Sequence, residues 1–274
     1  MTAARPGPRR SAIGVGHTPL PLGPAFAGML VLLYLPIVLL IVFSFNANTS
    51  LSFPLKGLTL EWYGRVFGDP ALLGAARNSL VVATLAASVA TTLGFAVSLA
   101  VLRFRFRGRG ILLALAIAPL VVPFVVLGVA LFLLFNFLDV PRSLLTVAAG
   151  HSVVALPYAT LILLSRVIGL DPALEDAAMD LGATYPMTLR KVLLPLVGPS
   201  LLSAWLTSFI VSFDEVALAN FLAGGDPTFP VFLYGQLRFA GRLPVLIAMA
   251  VLLMTGTIIL SLLAYRLRAR DSAI

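Results

Sequence analysis

Long apolar stretches alternate with short polar segments along most of this chain. Each stretch holds about 20 residues or more, which is the length an α-helix needs to cross about 30 Å of hydrocarbon. Continuous apolarity of this length indicates helices, because the strands of membrane barrels are shorter and alternate. The six predicted spans are Ala25–Phe45, Asn78–Val101, Ile111–Phe135, Leu144–Val167, Pro199–Leu222 and Leu243–Tyr265.

The pattern therefore predicts an all-α polytopic membrane protein. A six-helix transmembrane domain occupies residues 25–265, between an N-terminal tail at 1–24 and a C-terminal tail at 266–274. Composition supports this class, because only 11% of residues are charged and 60% are hydrophobic, whereas soluble domains carry about 25% charged residues. Arg9 and Arg10 precede a first apolar run too long for a signal peptide, with no small-x-small cleavage site after it. A basic tail before a retained span is expected.

The distribution of basic residues predicts the orientation of the chain, since cytoplasmic loops carry an excess of Lys and Arg. Thirteen of the nineteen basic residues fall in the two tails, the loop after the second span and the loop after the fourth. The six on the opposite side are Lys56, Arg65, Arg77, Arg142, Arg238 and Arg242. Both termini are therefore predicted to be cytoplasmic. The net charge of +8 needs no nucleic-acid partner.

The loop at residues 168–195 is the most polar segment between two spans, and we predict two short helices in it. Asp171 followed by Pro172 is typical of a helix start, and Glu175 and Asp176 suit the first turns, where the helix dipole favours anions. Gly182 is placed to end this helix in a left-handed conformation. A second helix is expected from Thr184 or Tyr185, limited by Pro195 before the fifth span.

This loop resembles the EAA motif of permease subunits in binding-protein-dependent ABC importers. That motif has Glu-Ala-Ala, three residues, Gly, nine residues and Ile-x-Leu-Pro. Here Asp176-Ala177-Ala178 takes the place of the triplet, Gly182 follows three residues later, and Val192-Leu193-Leu194-Pro195 closes the motif after nine more. Asp replaces Glu and Val replaces Ile, and both changes conserve charge or shape.

The resemblance implies the type I ABC importer permease (MetI-like) fold and a coupling helix that docks on an ATPase subunit. It also implies a second, homologous permease subunit, two cytoplasmic ATPase subunits that use ATP and Mg²⁺, and an extracytoplasmic solute-binding protein. No cofactor or metal is expected on this chain itself. The residues implied in ATPase coupling are Glu175, Asp176, Ala177, Ala178, Asp180, Gly182, Arg190 and Pro195.

The resemblance extends from about Leu58 onward, and Ser212-Phe213-Asp214-Glu215 is similar to the Ser-Phe-Asp-Asp of the spermidine/putrescine-type branch. It implies a polyamine substrate, or alternatively another small solute of the same branch, such as an amine, an amino-acid derivative, a phosphonate, thiamine or iron. With the fifth span starting at Pro199, Asp214 lies about 22 Å along it, in the outer half of the bilayer.

An acid at this depth is a candidate for the substrate pathway. Asp214 and Glu215 diverge by about 100° on a helix, so both face one way only where the helix unwinds. Phe213 and Tyr158 are weaker candidates. The alternatives for the acids are an ion pair with an Arg or an exposed position at the outer end.

Other function classes have less support in the sequence. No phosphate-cradling Gly-x-x-x-x-Gly-Lys-Ser/Thr motif is present, so intrinsic ATP hydrolysis is not expected. An ATP-independent secondary transporter would usually show paired repeats. An enzyme would need a cluster of catalytic or metal-binding groups, and no such cluster is found: Cys is absent, His17 and His151 are the only histidines, and a packing role is expected for His151. Catalytic residues are therefore not assigned.

Overall fold

The computed structural model describes residues 22–49 and 51–271, and these are almost entirely helical. The helices are α1 (Leu22–Ser44), α2 (Glu61–Phe67), α3 (Pro70–Arg103), α4 (Arg109–Ile117), α5 (Phe124–Phe137), α6 (Leu144–Ile168), α7 (Ala173–Asp180), α8 (Tyr185–Thr188), α9 (Leu194–Phe213), α10 (Ala219–Leu222), α11 (Phe229–Gln236) and α12 (Leu243–Asp271). Residues 1–21 and 272–274 of the predicted tails lie outside the described residues.

Five helical runs of the described chain are long and apolar enough to cross a membrane, and a bent pair makes a sixth. The runs are Phe26–Ser44, Pro70–Arg103, Leu144–Ile168, Tyr185–Phe213 and Ala240–Leu263. The all-α class is thus confirmed, with five or six candidate membrane spans. The second run starts eight residues before the predicted Asn78, because Asp69 caps it and Pro70 begins it.

The third predicted span, Ile111–Phe135, is not one continuous helix. Residues 109–120 and 124–137 form two helical parts that are bent by 110° with respect to each other. Pro119 and Pro123 explain the break, because neither has an N–H to continue the hydrogen-bond ladder, and Pro123 is in an extended conformation.

The bent pair carries the chain from one end of the bundle to the other. The last residue of α3, Arg103, contacts the carbonyls of Val167 and Leu170 at the C-terminal end of α6. The two helices therefore end on the same side, called here the Arg103 end, which is the side predicted to be cytoplasmic. The chain has to return from there to the start of α6 through α4 and α5. The opposite side, where Asp69 pairs with Arg242, is called the Asp69 end.

Small residues bring α3, α6 and α9 together at the centre of the bundle. Ala90, Ala155, Ala159 and Ala204 are fully buried in one cluster. A Cβ on Gly94 would lie 2.9 Å from the backbone nitrogen of Thr160, so only glycine permits this approach of α3 to α6. Close packing at small residues is the usual way in which membrane helices associate. By contrast, most of the described side chains of α1 are exposed.

The fifth membrane-spanning helix begins and ends earlier in the chain than the predicted Pro199–Leu222. Helical structure begins at Tyr185 and ends at Phe213, so Pro195 does not stop the second helix of the loop. The run passes through Pro195 because residues 189–193 form a π-helical turn, in which longer hydrogen bonds replace the regular ladder. Beyond Phe213 the backbone is irregular up to α10.

Candidate functional site

The first candidate site is α7, the short helix in the loop between α6 and α9. Oδ1 of Asp171 accepts a hydrogen bond of 2.9 Å from the backbone N–H of Ala173. The helix begins at Ala173, so Pro172 takes the cap position and not the first helical position that the sequence predicts. Glu175 and Asp176 lie in the first turn, as predicted.

Gly182 ends α7 in the left-handed conformation that the sequence predicts, with a φ of 88°. The N–H of Gly182 donates to the carbonyl of Met179 (2.9 Å), and the N–H of Ala183 donates to that of Ala178 (3.1 Å). This pair of bonds is a Schellman motif, which satisfies carbonyls that the helix end leaves free. A Cβ at Gly182 would meet nothing within 4 Å, so the backbone angle is the reason for glycine.

Glu175, one of the residues implied in ATPase coupling, faces the bundle. Its Oε1 accepts from Nε of Arg103 at 2.6 Å, and the two side chains are only 7% and 13% exposed. Arg103 also donates to two carbonyls at the end of α6. The pair fastens α7 to α3, and sequence reasoning missed Arg103 because 72 residues separate the two partners.

We expect the loss of this ion pair to destabilise the protein. Glu175→Ala leaves a guanidinium buried without its counter-charge, which typically costs about 3–5 kcal/mol. The matched control is Glu61→Ala, because Glu61 pairs with Arg65 at the same 2.6 Å on an exposed surface, where a pair contributes about 0–1 kcal/mol. Denaturant titration in detergent, as a double-mutant cycle for each pair, measures both coupling energies. Equal coupling in the two cycles would show that the buried pair does not hold α7.

The outer face of α7 is apolar and exposed. Leu181 is 90% exposed and Leu174 is 47% exposed, and both share a helix face with Ala177 and Ala178 by their spacing. These four residues are called the α7 patch. Asp176 and Asp180 lie exposed on another strip of the same helix. An apolar surface turned to water and flanked by charges is typical of a protein-binding site.

Arg190 and Pro195 lie outside α7. Arg190 is in the π-helical turn, Pro195 is in the first turn of α9, and both are exposed. Tyr185 at the start of this run packs edge-on against Phe104, with ring centroids 5.6 Å apart. The helical run from Tyr185 to Phe213 thus joins the α7 loop directly to the second candidate site.

The second candidate site is a cavity of about 290 Å³ at the C-terminal end of α9. Asp214 lies there, and among the described residues no ion-pair or hydrogen-bond partner is found for its carboxylate. Ala250 and Thr257 of α12 line the cavity and follow Leu243 by 7 and 14 residues, or about 10 and 21 Å. The cavity therefore lies within the membrane-spanning part of α12, about 10 to 21 Å from the Asp69 end. The other lining residues are Phe213, Phe229, Pro230, Leu233, Leu253 and Met254.

Glu215 points away from this cavity and is buried. Its carboxylate accepts hydrogen bonds of 2.8–3.0 Å from the backbone N–H groups of Leu218 and Ala219. Oε2 also lies 3.2 Å from Nε2 of His151, without the alignment of a hydrogen bond. The carboxylate thus stabilises the irregular backbone after α9. The helix is unwound at these residues, but the two acids face different surroundings. Glu215 is buried and does not line the cavity, so it has no open surface for the predicted pathway role.

His151 has more partners than the sequence suggests. Its Nδ1 lies 2.8 Å from Oγ of Ser212, so the histidine bridges Ser212 and Glu215 inside the bundle. The ring is 1% exposed, which agrees with the packing role expected for it. These contacts span 61 residues or more, and no local sequence pattern signals them.

The two weaker pathway candidates have different positions. Phe213 lines the cavity and is held by stacking on Phe209, with ring centroids 5.8 Å apart, and Phe209 stacks in turn on Trp205 at 5.4 Å. Tyr158 is half-buried on α6 and does not line the cavity of Asp214. An unpaired carboxylate beside the rings of Phe213 and Phe229 suits an organic cation, which is attracted by both.

The sequence is similar to those of known membrane transport proteins. Residues 90–270 match the family model described as binding-protein-dependent transport system inner membrane component. The putrescine transport system permease protein PotI of Escherichia coli K12 is 34% identical over 87% of each chain. The spermidine/putrescine transport system permease protein PotC of Haemophilus influenzae is 36% identical over 70% of this chain and 74% of its own.

A solved structure has the same fold. It is a bacterial ABC transporter involved in the import of the acidic polysaccharide alginate, with a TM-score of 0.69 and 17% identity. The match covers 89% of this chain and 94% of the other.

Proposed function

The chain belongs to the family of binding-protein-dependent transport system inner membrane components, and on this premise we propose that its solute is a polyamine. It is a multi-pass inner membrane protein and a permease subunit of an ATP-driven ABC importer. This family consists of transport permeases, which are not catalytic enzymes. The observation that carries the proposed substrate is the unpaired carboxylate of Asp214 beside two aromatic rings at membrane depth.

A polyamine suits this cavity for physical reasons. An unpaired acid at membrane depth is costly unless it faces a polar cavity or a cation, and each ammonium group of a polyamine supplies such a charge. Phe213 and Phe229 line the same cavity, and aromatic rings attract ammonium groups. Two relatives above 30% identity are putrescine or spermidine/putrescine permeases by name, which supports the same class of solute.

The ATPase subunits are proposed to dock on the α7 patch at the Arg103 end. Exposed Leu181 would insert into the partner, while Asp176 and Asp180 would meet its basic groups. Glu175 holds α7 to α3 and does not take part in the docking itself. ATP and Mg²⁺ would be bound by those ATPases and not by this chain.

Movement of the docked loop would reach the solute through α9. The run from Tyr185 to Phe213 is helical throughout, and its last residue adjoins Asp214. A shift of the loop therefore displaces one wall of the cavity. The remaining partners are a homologous second permease, which completes the pathway, and a solute-binding protein at the Asp69 end. Both termini are then cytoplasmic.

This proposal is tested by purifying the tagged chain from its native membrane with its associated proteins. We expect two ATPase subunits, a second permease and a binding protein loaded with a polyamine. Proteoliposomes of this complex should accumulate labelled putrescine only with ATP and the binding protein, and unlabelled amino acids should not compete. Uptake by the lone chain without ATP would contradict the proposal and indicate a secondary transporter. Uptake of a different solute would overturn only the proposed polyamine substrate and not the proposed importer.

A further inference from the structure

We propose that Arg105, Arg107 and Arg109 form a binding site for the phosphate-bearing headgroup of an anionic phospholipid at the Arg103 end. These residues and Phe106 line a pocket of about 520 Å³ between α3 and α4. All four are exposed. Gly108 has a φ of 93°, and this left-handed turn reverses the chain between Arg107 and Arg109.

The three pocket arginines lack the partners that five other arginines of the described chain have. Arg65, Arg103 and Arg242 each pair with a carboxylate, and Arg142 and Arg238 lie over phenylalanine rings. No such partner is found among the described residues for the pocket arginines, and no acid occurs in the sequence from Phe104 to Ile117. Three like charges around one pocket repel each other unless an anion lies between them.

The loop between α3 and α4 is too short to extend far from the surface of the membrane. Only residues 104–108 separate α3 from α4, and both helices belong to candidate membrane spans. The pocket therefore lies where lipid headgroups are. Phe104 and Phe106 are 48% and 42% exposed and alternate with the arginines along the loop. Exposed aromatic and basic side chains in one short loop suit the bilayer interface, where guanidinium groups meet phosphates.

The positive-inside bias accounts for basic residues on this side, but not for their arrangement around one pocket. Guanidinium groups bind phosphate oxygens through paired, fork-like hydrogen bonds, whereas orientation depends on charge alone. Lysine therefore separates the two effects. A lysine triple variant keeps the orientation signal and loses the fork-shaped donors.

The experiment places the purified protein in nanodiscs of phosphatidylcholine, either alone or with a minor fraction of phosphatidylglycerol, and measures bound lipid by native mass spectrometry. The variants are Arg105→Gln/Arg107→Gln/Arg109→Gln and the corresponding lysine triple. Arg65→Gln/Arg142→Gln/Arg238→Gln is the control with equal loss of charge at the Asp69 end.

We expect enrichment of phosphatidylglycerol on the unchanged protein and on the control. Affinity should fall about tenfold or more in the glutamine triple and by a smaller factor in the lysine triple. Equal enrichment in all variants would overturn the proposal. So would displacement of the lipid by inorganic phosphate at low concentration, since the site would then belong to a free anion. Thermal unfolding identifies variants that misfold, and the accessibility of a tag on a tail identifies variants that insert in the inverted orientation. If the glutamine triple does either, the lysine triple tests the proposal.

Discussion

Replacing Gly182 by valine should abolish ATP-driven uptake while leaving the protein inserted in the membrane. Gly182 has a φ of 88°, a conformation that costs an L-residue about 1–2 kcal/mol and a β-branched one more. No atom of the described chain lies within 4 Å of a Cβ at this position, so within this chain the substitution acts through the backbone. The Schellman bonds of Gly182 and Ala183 would be lost, and the α7 patch would shift relative to α8. We expect uptake to fall at least about tenfold.

The measurement compares ATPase activity with uptake in proteoliposomes of the whole importer. Gly182→Asn is the matched control, because asparagine tolerates the left-handed region and should retain most of the uptake. The valine variant should lose the dependence of ATPase activity on the loaded binding protein. If it kept full uptake, the docking role proposed for α7 would be wrong. Equal failure of both variants would point to the exposed side-chain surface and not to the turn.

Replacing Asp214 by asparagine should impair polyamine uptake far more than stability. The carboxylate has no hydrogen-bond or ion-pair partner among the described residues, so its removal breaks no such bond among them. A hydrogen bond between charged groups contributes about 1.5–3 kcal/mol, which corresponds to a reduction of about tenfold to a hundredfold in the rate of uptake at low solute concentration.

The controls for Asp214 come from the same part of the chain. Asp214→Glu keeps the charge and should retain part of the uptake. Asp226→Asn removes an exposed acid from the loop before α11 that does not line the cavity, and should have little effect. Initial rates with labelled putrescine and thermal unfolding are measured for each variant. Normal uptake by Asp214→Asn would remove this acid from the pathway, while a large loss of stability would make its role structural.

Local patterns predicted the features that depend on neighbours in sequence. The apolar runs located the spans because a helix must satisfy its own backbone within the bilayer. Gly182 indicated its left-handed turn because only glycine adopts that angle at little cost. Prolines were less reliable guides, since Pro123 breaks a span and Pro195 does not, and the difference depends on the π-helical turn before Pro195.

The sequence by itself thus determined the helical membrane class, the order of the spans and the ends of α7, because these follow from hydrogen bonding and backbone angles over a few residues. Only the tertiary structure decided which charged groups have a partner and which do not. It buries Glu175 against Arg103 and Glu215 against His151, and it leaves Asp214 unpaired in a cavity. The reason is physical: the partners in each pair are more than sixty residues apart, and helix packing alone brings them together.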